Sequence, residues 1–223
     1  MSDDPLRPAR RTYRHGNLRA ALLEAGVALA REGGPDAVVL REVTRCAGVV
    51  PNAAYRHFAN HQALFEAVRG VALSQLAYAI EAEINAVQPL DDPRLRARAS
   101  FRGVGLGYLR FARQEPGLFR TAFAAQPFDL NETPHSDHES AQGASGLDPF
   151  QLLGQALDGM VDAGLMLPAR RAGAEWMAWS AVHGMAFLVL NGPLRGQGET
   201  EHQALAEQLV AMVERGLLAE LGG

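Results

Sequence analysis

An all-α fold, with a three-helix N-terminal helix-turn-helix head and a larger helical body, is predicted by three observations. Apolar residues recur at helical spacing through most of the chain, as in Leu18, Leu22, Ala25 and Leu29. Asn, Gly and Pro punctuate those segments where helices begin and end. Between Leu40 and Phe58, two short apolar-faced segments flank a glycine. At 223 residues and 48% hydrophobic content, the chain accommodates a small domain and a larger one with an ample core.

Residues 1–12 mix Asp, Pro and Arg without periodicity and are expected to form a flexible arm. Its Arg7, Arg10 and Arg11, with Arg14 just beyond, suit a phosphate strand or a minor groove. Asn17 caps a first helix to about Arg31, which Gly33-Gly34-Pro35 ends. Leu40, Val43 and Ala47 then supply a one-sided apolar face. Gly48 falls at the helix end, Val49 turns inward, and Pro51 opens a second helix where its missing N–H costs nothing. That second helix carries Asn52, Tyr55, Arg56 and His57, all able to hydrogen-bond bases or phosphates. Helix, glycine turn and second helix form the layout that enters a DNA major groove.

Asn60 caps a fourth helix from His61 to about Val87, with Leu64, Phe65, Val68 and Leu76 directed inward. The domain boundary is set there, giving a head at 13–60 and a body at 61–223. Pro89 to Pro93 breaks the chain, and a fifth helix runs from about Arg94 to Gln114. Phe101, Val104, Tyr108 and Phe111 form its stripe. Gly103, Gly105 and Gly107 each cost roughly 1 kcal/mol relative to Ala, which close helix contact or space for a ligand could justify, close packing being the favoured reading. Pro116 starts a short sixth helix with Leu118, Phe119 and Phe123. Residues 127–149, rich in turn formers and acids, are expected to form a mobile loop. A seventh helix from Pro149 to about Ala163 aligns Phe150, Leu153, Leu157 and Met160.

Two apolar helices follow. Ala172–Asn191 is hydrophobic nearly all round and must be covered on several sides. Trp176, Trp179, His183 and Phe187 form a face for the core; Met177, Ala181, Gly184, Met185 and Leu188 form one for a second subunit. Glu201–Leu221 repeats the theme with Leu205, Leu209 and Met212. A homodimer through these two helices is expected.

The charge is unevenly divided. Residues 1–69 hold ten arginines against seven acids, and residues 70–223 hold eleven against eighteen, for a net charge of −4. A cationic head on an anionic body places the field that favours nucleic acid at one end. All 21 basic residues are Arg, a bias attributed to composition rather than function. The single cysteine, Cys46, excludes an intrachain disulfide and is not expected to act as a redox switch. With no signal-like start, and Trp176 to Leu190 too short for the ~20 residues of a span, a cytoplasmic location and no membrane contact are expected.

Tyr13–Val68 resembles the DNA-binding domain of the TetR family of transcriptional regulators. The matching pieces are His15-Gly16-Asn17-Leu18-Arg19, Leu40-Arg41-Glu42-Val43, Ala47-Gly48-Val49 and Tyr55-Arg56-His57-Phe58 followed by Leu64. Val39 and Val50 depart from the family's usual Ser or Thr caps, and His61 replaces a common phosphate-contacting Lys. Trp179-Ser180-Ala181-Val182-His183-Gly184 also resembles the Trp…His-Gly segment of one C-terminal subclass. The resemblance implies that Pro51, Asn52, Ala53 and Arg56 face base edges while Tyr55 and His57 hold phosphates. Arg41, and His61 at the lysine position, add phosphate contacts. It further implies a palindromic operator, with the fourth helix linking head to body as a pendulum.

In the body, Phe111, Phe119, Phe123, Met160, Trp176, Trp179 and His183 are the candidate lining of an apolar small-molecule cavity. His183 suits either a ligand contact or an internal hydrogen bond. Enzyme chemistry is not expected. Ser180 and His183 lie one turn apart without an evident oxyanion hole, and the GxGxG of Gly103–Gly107 sits within a helical pattern. His135, Asp137, His138 and Glu139 lack the rigid scaffold that a metal requires, so neither metal nor cofactor is expected. The reading that results is a ligand-responsive DNA-binding regulator, a repressor released by a largely apolar effector. Its alternatives are a DNA-binding protein whose body only docks other proteins, or an enzyme.

Overall fold

The computed structural model describes residues 17–87, 90–124 and 139–218, which carry nine α-helices and no strand among the described residues. The arginines of the arm, His15 and Gly16, His135, Asp137 and His138 lie outside them.

The head comprises α1 (Leu18–Gly33), α2 (Leu40–Cys46) and α3 (Pro51–Ala54). Asn17 caps α1 by accepting from the Ala20 amide at 3.2 Å, and Gly34 leaves it at φ +75°. Then come α4 (His61–Ala86), α5 (Pro93–Gln114), α6 (Pro116–Ala122), α7 (Pro149–Asp162), α8 (Ala174–Asn191) and α9 (Glu199–Leu217). Their starts follow the predicted chemistry. Asn60 accepts from Ala63, Asp92 from Arg94, and Asp148 forms a full capping box with Gln151. Pro opens α3, α5, α6 and α7.

The core is continuous from head to body because α4 serves both. At Gly26 of α1, Val68 and Leu64 of α4 converge with Val43 of α2. Further along α4, Leu76 and Ile80 are buried with Phe101, Leu118, Leu157 and Met160 of the body. The boundary expected at residue 60 therefore falls before two turns of α4 that pack in the head. By length and composition α4 also passes as a membrane span, but α1, α5, α6 and α7 pack around it as around a core helix.

Close packing accounts for two of the three α5 glycines. A Cβ on Gly107 would stand 2.7 Å from Ile80 Cα, and one on Gly103 about 3.0 Å from Ile84 Cα. Gly105 instead faces Val210 of α9 and the interior. From α9, the fully buried Glu214 accepts from Arg98 at 2.6 Å and Arg102 at 2.7 Å, tying that helix to α5.

Two expectations need correction. On α8, Phe187 is 59% exposed and joins Met177 and Leu188 on the outer face, whereas Met185 packs against the core. A 3.6-residue repeat on a uniformly apolar helix does not fix its rotation; the neighbours do. Within the segment expected as a mobile loop, residues 139–148 are docked on α4. Ser74 Oγ donates to the Gln142 carbonyl at 2.7 Å, and Ser140 packs on Gly70.

Candidate nucleic-acid interface and internal cavity

The interface is built by the turn between α2 and α3. Both helices start without a side-chain acceptor, since Val39 and Val50 occupy the cap positions. The end of α2 is closed instead. Gly48 adopts φ +70°, its N–H donates to Arg45 O at 3.2 Å, and Val49 N–H donates to Thr44 O at 3.0 Å. That pair of bonds is the Schellman arrangement, which needs a residue tolerant of the left-handed region. It delivers Pro51 to the start of α3.

Regular helix lasts only four residues there. Tyr55, Arg56 and His57, expected on the helix, lie in the tighter turn after it, where His57 and Phe58 amides both donate to Ala54 O. Ala54 and Phe58 are buried and anchor the segment, which leaves Pro51, Asn52, Tyr55, Arg56 and His57 exposed, with Ala53 half-buried. Arg41 is exposed near the start of α2. His61 is committed to its own protein, donating from Nε2 to the Val38 carbonyl at 2.6 Å. A brace missed from sequence is Arg19, whose guanidinium lies 5.1 Å over the Phe58 ring and holds α1 to the end of this turn. Such an exposed strip of amide, phenol, guanidinium and imidazole on two buried anchors can offer donors to base edges and phosphates.

In the body, α4, α5, α7, α8 and α9 enclose a cavity of about 70 Å³ within a cleft of about 900 Å³, open mouth included. Of the expected lining, Phe123 and Trp179 reach it. Phe119 and His183 stand behind them in a ring cluster, with Phe119–Phe123 centroids 4.9 Å apart and Phe123–His183 5.1 Å. Phe111 and Met160 are buried in the core away from the cavity, and half-exposed Trp176 stacks on Trp179 from outside at 5.8 Å. Helical spacing identified inward faces, but depth along each helix decides which inward residue meets the space.

Tyr108 organises the cavity's polar chemistry. Trp179 Nε1–H donates to its hydroxyl at 3.1 Å, and the hydroxyl lies 2.7 Å from His183 Nδ1. Indole can only donate, so Tyr108 accepts from Trp179; with the His183 proton on Nε2, the Tyr108 hydroxyl donates in turn to Nδ1. Burial raises the Tyr108 pKa against the pull of the Trp179 bond, and burial lowers that of His183. Neutral forms of both are favoured.

The docked segment supplies another wall through Ala141 and Asp148. Buried Glu81 holds it, accepting from Ala144 N at 2.8 Å, Ser145 N at 2.9 Å and Ser145 Oγ at 2.6 Å. Burial pushes this carboxyl up, but the Ser145 and Ala144 hydrogen bonds outweigh it and leave the pKa below its ordinary value. Arg69 also lines the cavity and was missed from sequence. Its signal was a charged residue four positions after Phe65 and four before Leu73, on a face otherwise apolar.

The sequence matches the family model of bacterial regulatory proteins, tetR family, over residues 22–68. Residues 101–213, half of the chain, match that of the tetracyclin repressor-like C-terminal domain. The chain belongs to the TetR family. Members of the TetR family are DNA-binding transcription regulators rather than enzymes. No protein of curated function matches the chain in sequence. Among solved structures, a protein of unknown function from Rhodococcus sp. RHA1 is 23% identical with a TM-score of 0.72, covering 94% of this chain and 100% of its own. A TetR family transcription regulator from Marinobacter aquaeolei VT8 is 21% identical, TM-score 0.60, over 90% of this chain and 96% of its own. A TetR variant from Acinetobacter baumannii AYE in complex with minocycline is 16% identical, TM-score 0.55, over 92% and 97%. These likenesses are of fold.

Proposed function

We propose that the protein is a homodimeric, cytoplasmic repressor, released from a palindromic operator when a small, largely apolar effector enters the body cavity. The observation that carries this reading is that α4 lines the cavity with Arg69, Leu73 and Ile80 and builds the head's core with Leu64, Phe65 and Val68. Whatever alters the cavity walls acts on the helix that seats the head. The fold is shared with a TetR variant that holds minocycline. An effector shifts operator binding by its difference in affinity between the two head spacings.

In this reading Pro51, Asn52, Ala53 and Arg56 meet base edges; Arg41, Tyr55 and His57 meet phosphates, while His61 braces the Val38 carbonyl instead. Phe123 and Trp179 form the effector's aromatic wall, backed by Phe119 and His183, with Trp176 stacked on it from outside. The outer faces of α8 and α9, where Met177, Phe187 and Met212 are exposed, form the dimer interface. Selection of bound duplexes from a random DNA pool at fixed, stated salt tests it. A near-palindrome is expected, and that duplex becomes the probe for release by small molecules. Salt-sensitive enrichment without a motif overturns sequence-specific repression, and failure of every cavity-binding compound to affect the operator complex overturns the effector arm.

A further inference from the structure

We infer that the cavity takes an amphipathic anion, an apolar body ending in a carboxylate, with Arg69 as the residue that binds the charge. The inference rests on the effector reading above and names the class of ligand. Every wall around Arg69 is apolar or already satisfied. Leu73, Phe101, Val104, Phe150 and Val182 offer no hydrogen bond, and the Tyr108 hydroxyl is already engaged by Trp179 and His183. Asp148, the other charged group on the wall, directs Oδ1 at the Phe150 and Gln151 amides, 2.8 Å from each, so its charge is met by the start of α7.

Arg69 is half-buried and incompletely used. Nε donates to the Ala122 carbonyl at 3.0 Å and Nη1 reaches Glu66 at 3.3 Å, while Nη2 has no partner among the described residues. A guanidinium is costly in an apolar cavity, and a planar carboxylate matches its fork. A neutral effector leaves that donor unmet, and a cationic one is repelled. The same side chain ties α4 to the last turn of α6, and Gly117 of α6 lies against the Ala30 and Arg31 carbonyls of α1. A carboxylate that draws Arg69 towards itself competes with Ala122 and Glu66, so occupancy is felt where the body meets the head.

The test is tryptophan fluorescence, since Trp179 lines the cavity and Trp176 stacks on it from outside. Octanoate and phenylacetate are titrated against octanol, phenylethanol and octylamine, with wild type, R69M and R69K. We expect each acid to bind at least about tenfold tighter than its alcohol, octylamine to bind weakest, and R69M to erase the acid's advantage while R69K keeps part of it. Equal binding of acid and alcohol by the wild type, or an advantage that survives R69M, overturns the assignment to an anion and leaves the effector cavity standing. The wild-type comparison decides this even if R69M fails to fold. If no compound alters the fluorescence of the wild type, both the anion assignment and the effector reading fall.

Discussion

Arg56 stands exposed two residues beyond buried Ala54, on a turn closed by the His57 and Phe58 amides donating to the Ala54 carbonyl. If it reads a guanine, Arg56→Ala will cost about 1–3 kcal/mol of operator binding and relax specificity at one base step, measured by titration of single-step operator variants. A uniform loss across all sequences makes it a phosphate contact instead. At the cavity, Tyr108→Phe removes the acceptor for Trp179 and the hydrogen-bond partner of His183 together. The expected loss is roughly 1–3 kcal/mol of folding stability in urea. His183 adds a pH dependence whose sign follows from its lowered pKa. The unfolded chain binds the extra proton first, so the stability linked to the neutral ring is full above about 6.5, the ordinary value. It falls as pH drops towards the lowered folded value and then levels. Urea midpoints between pH 8 and pH 5 should show this fall, and His183→Asn should flatten it.

Among the elements, α5 shows how composition and contact differ. Its three glycines are each unfavourable by propensity, and the structure gives two to α4 and one to α9. Gly107→Ala should destabilise by about 1–3 kcal/mol, because the added Cβ meets the α4 backbone at Ile80 rather than a flexible tip. Gly159→Ala on α7, with nothing within 4 Å, should be neutral or stabilising by up to about 1 kcal/mol. Thermal unfolding of the two variants separates close approach from mere composition. The helix limits themselves were legible because Asn, Asp, Pro and Gly act within one turn. The docking of residues 139–148 was not, because Glu81 and Ser145 lie 64 positions apart and neither is unusual alone.

For the whole molecule, the outer face of α8 is the feature a single chain leaves unexplained, with Met177 70% and Phe187 59% exposed. Met177→Glu together with Phe187→Glu should yield a folded monomer by sedimentation and abolish tight operator binding, since two half-sites require two heads. A dimer that survives both substitutions places the interface elsewhere.

The amino-acid sequence by itself determined the all-α class, the helix order, the glycine-closed turn and the cationic head, since each depends on local spacing, caps or charge. The tertiary structure alone decided how α8 is turned, how deep each aromatic residue lies, and which inward residues meet the cavity. Those are consequences of three-dimensional packing, in which residues distant along the chain set one another's exposure, and no local pattern encodes them.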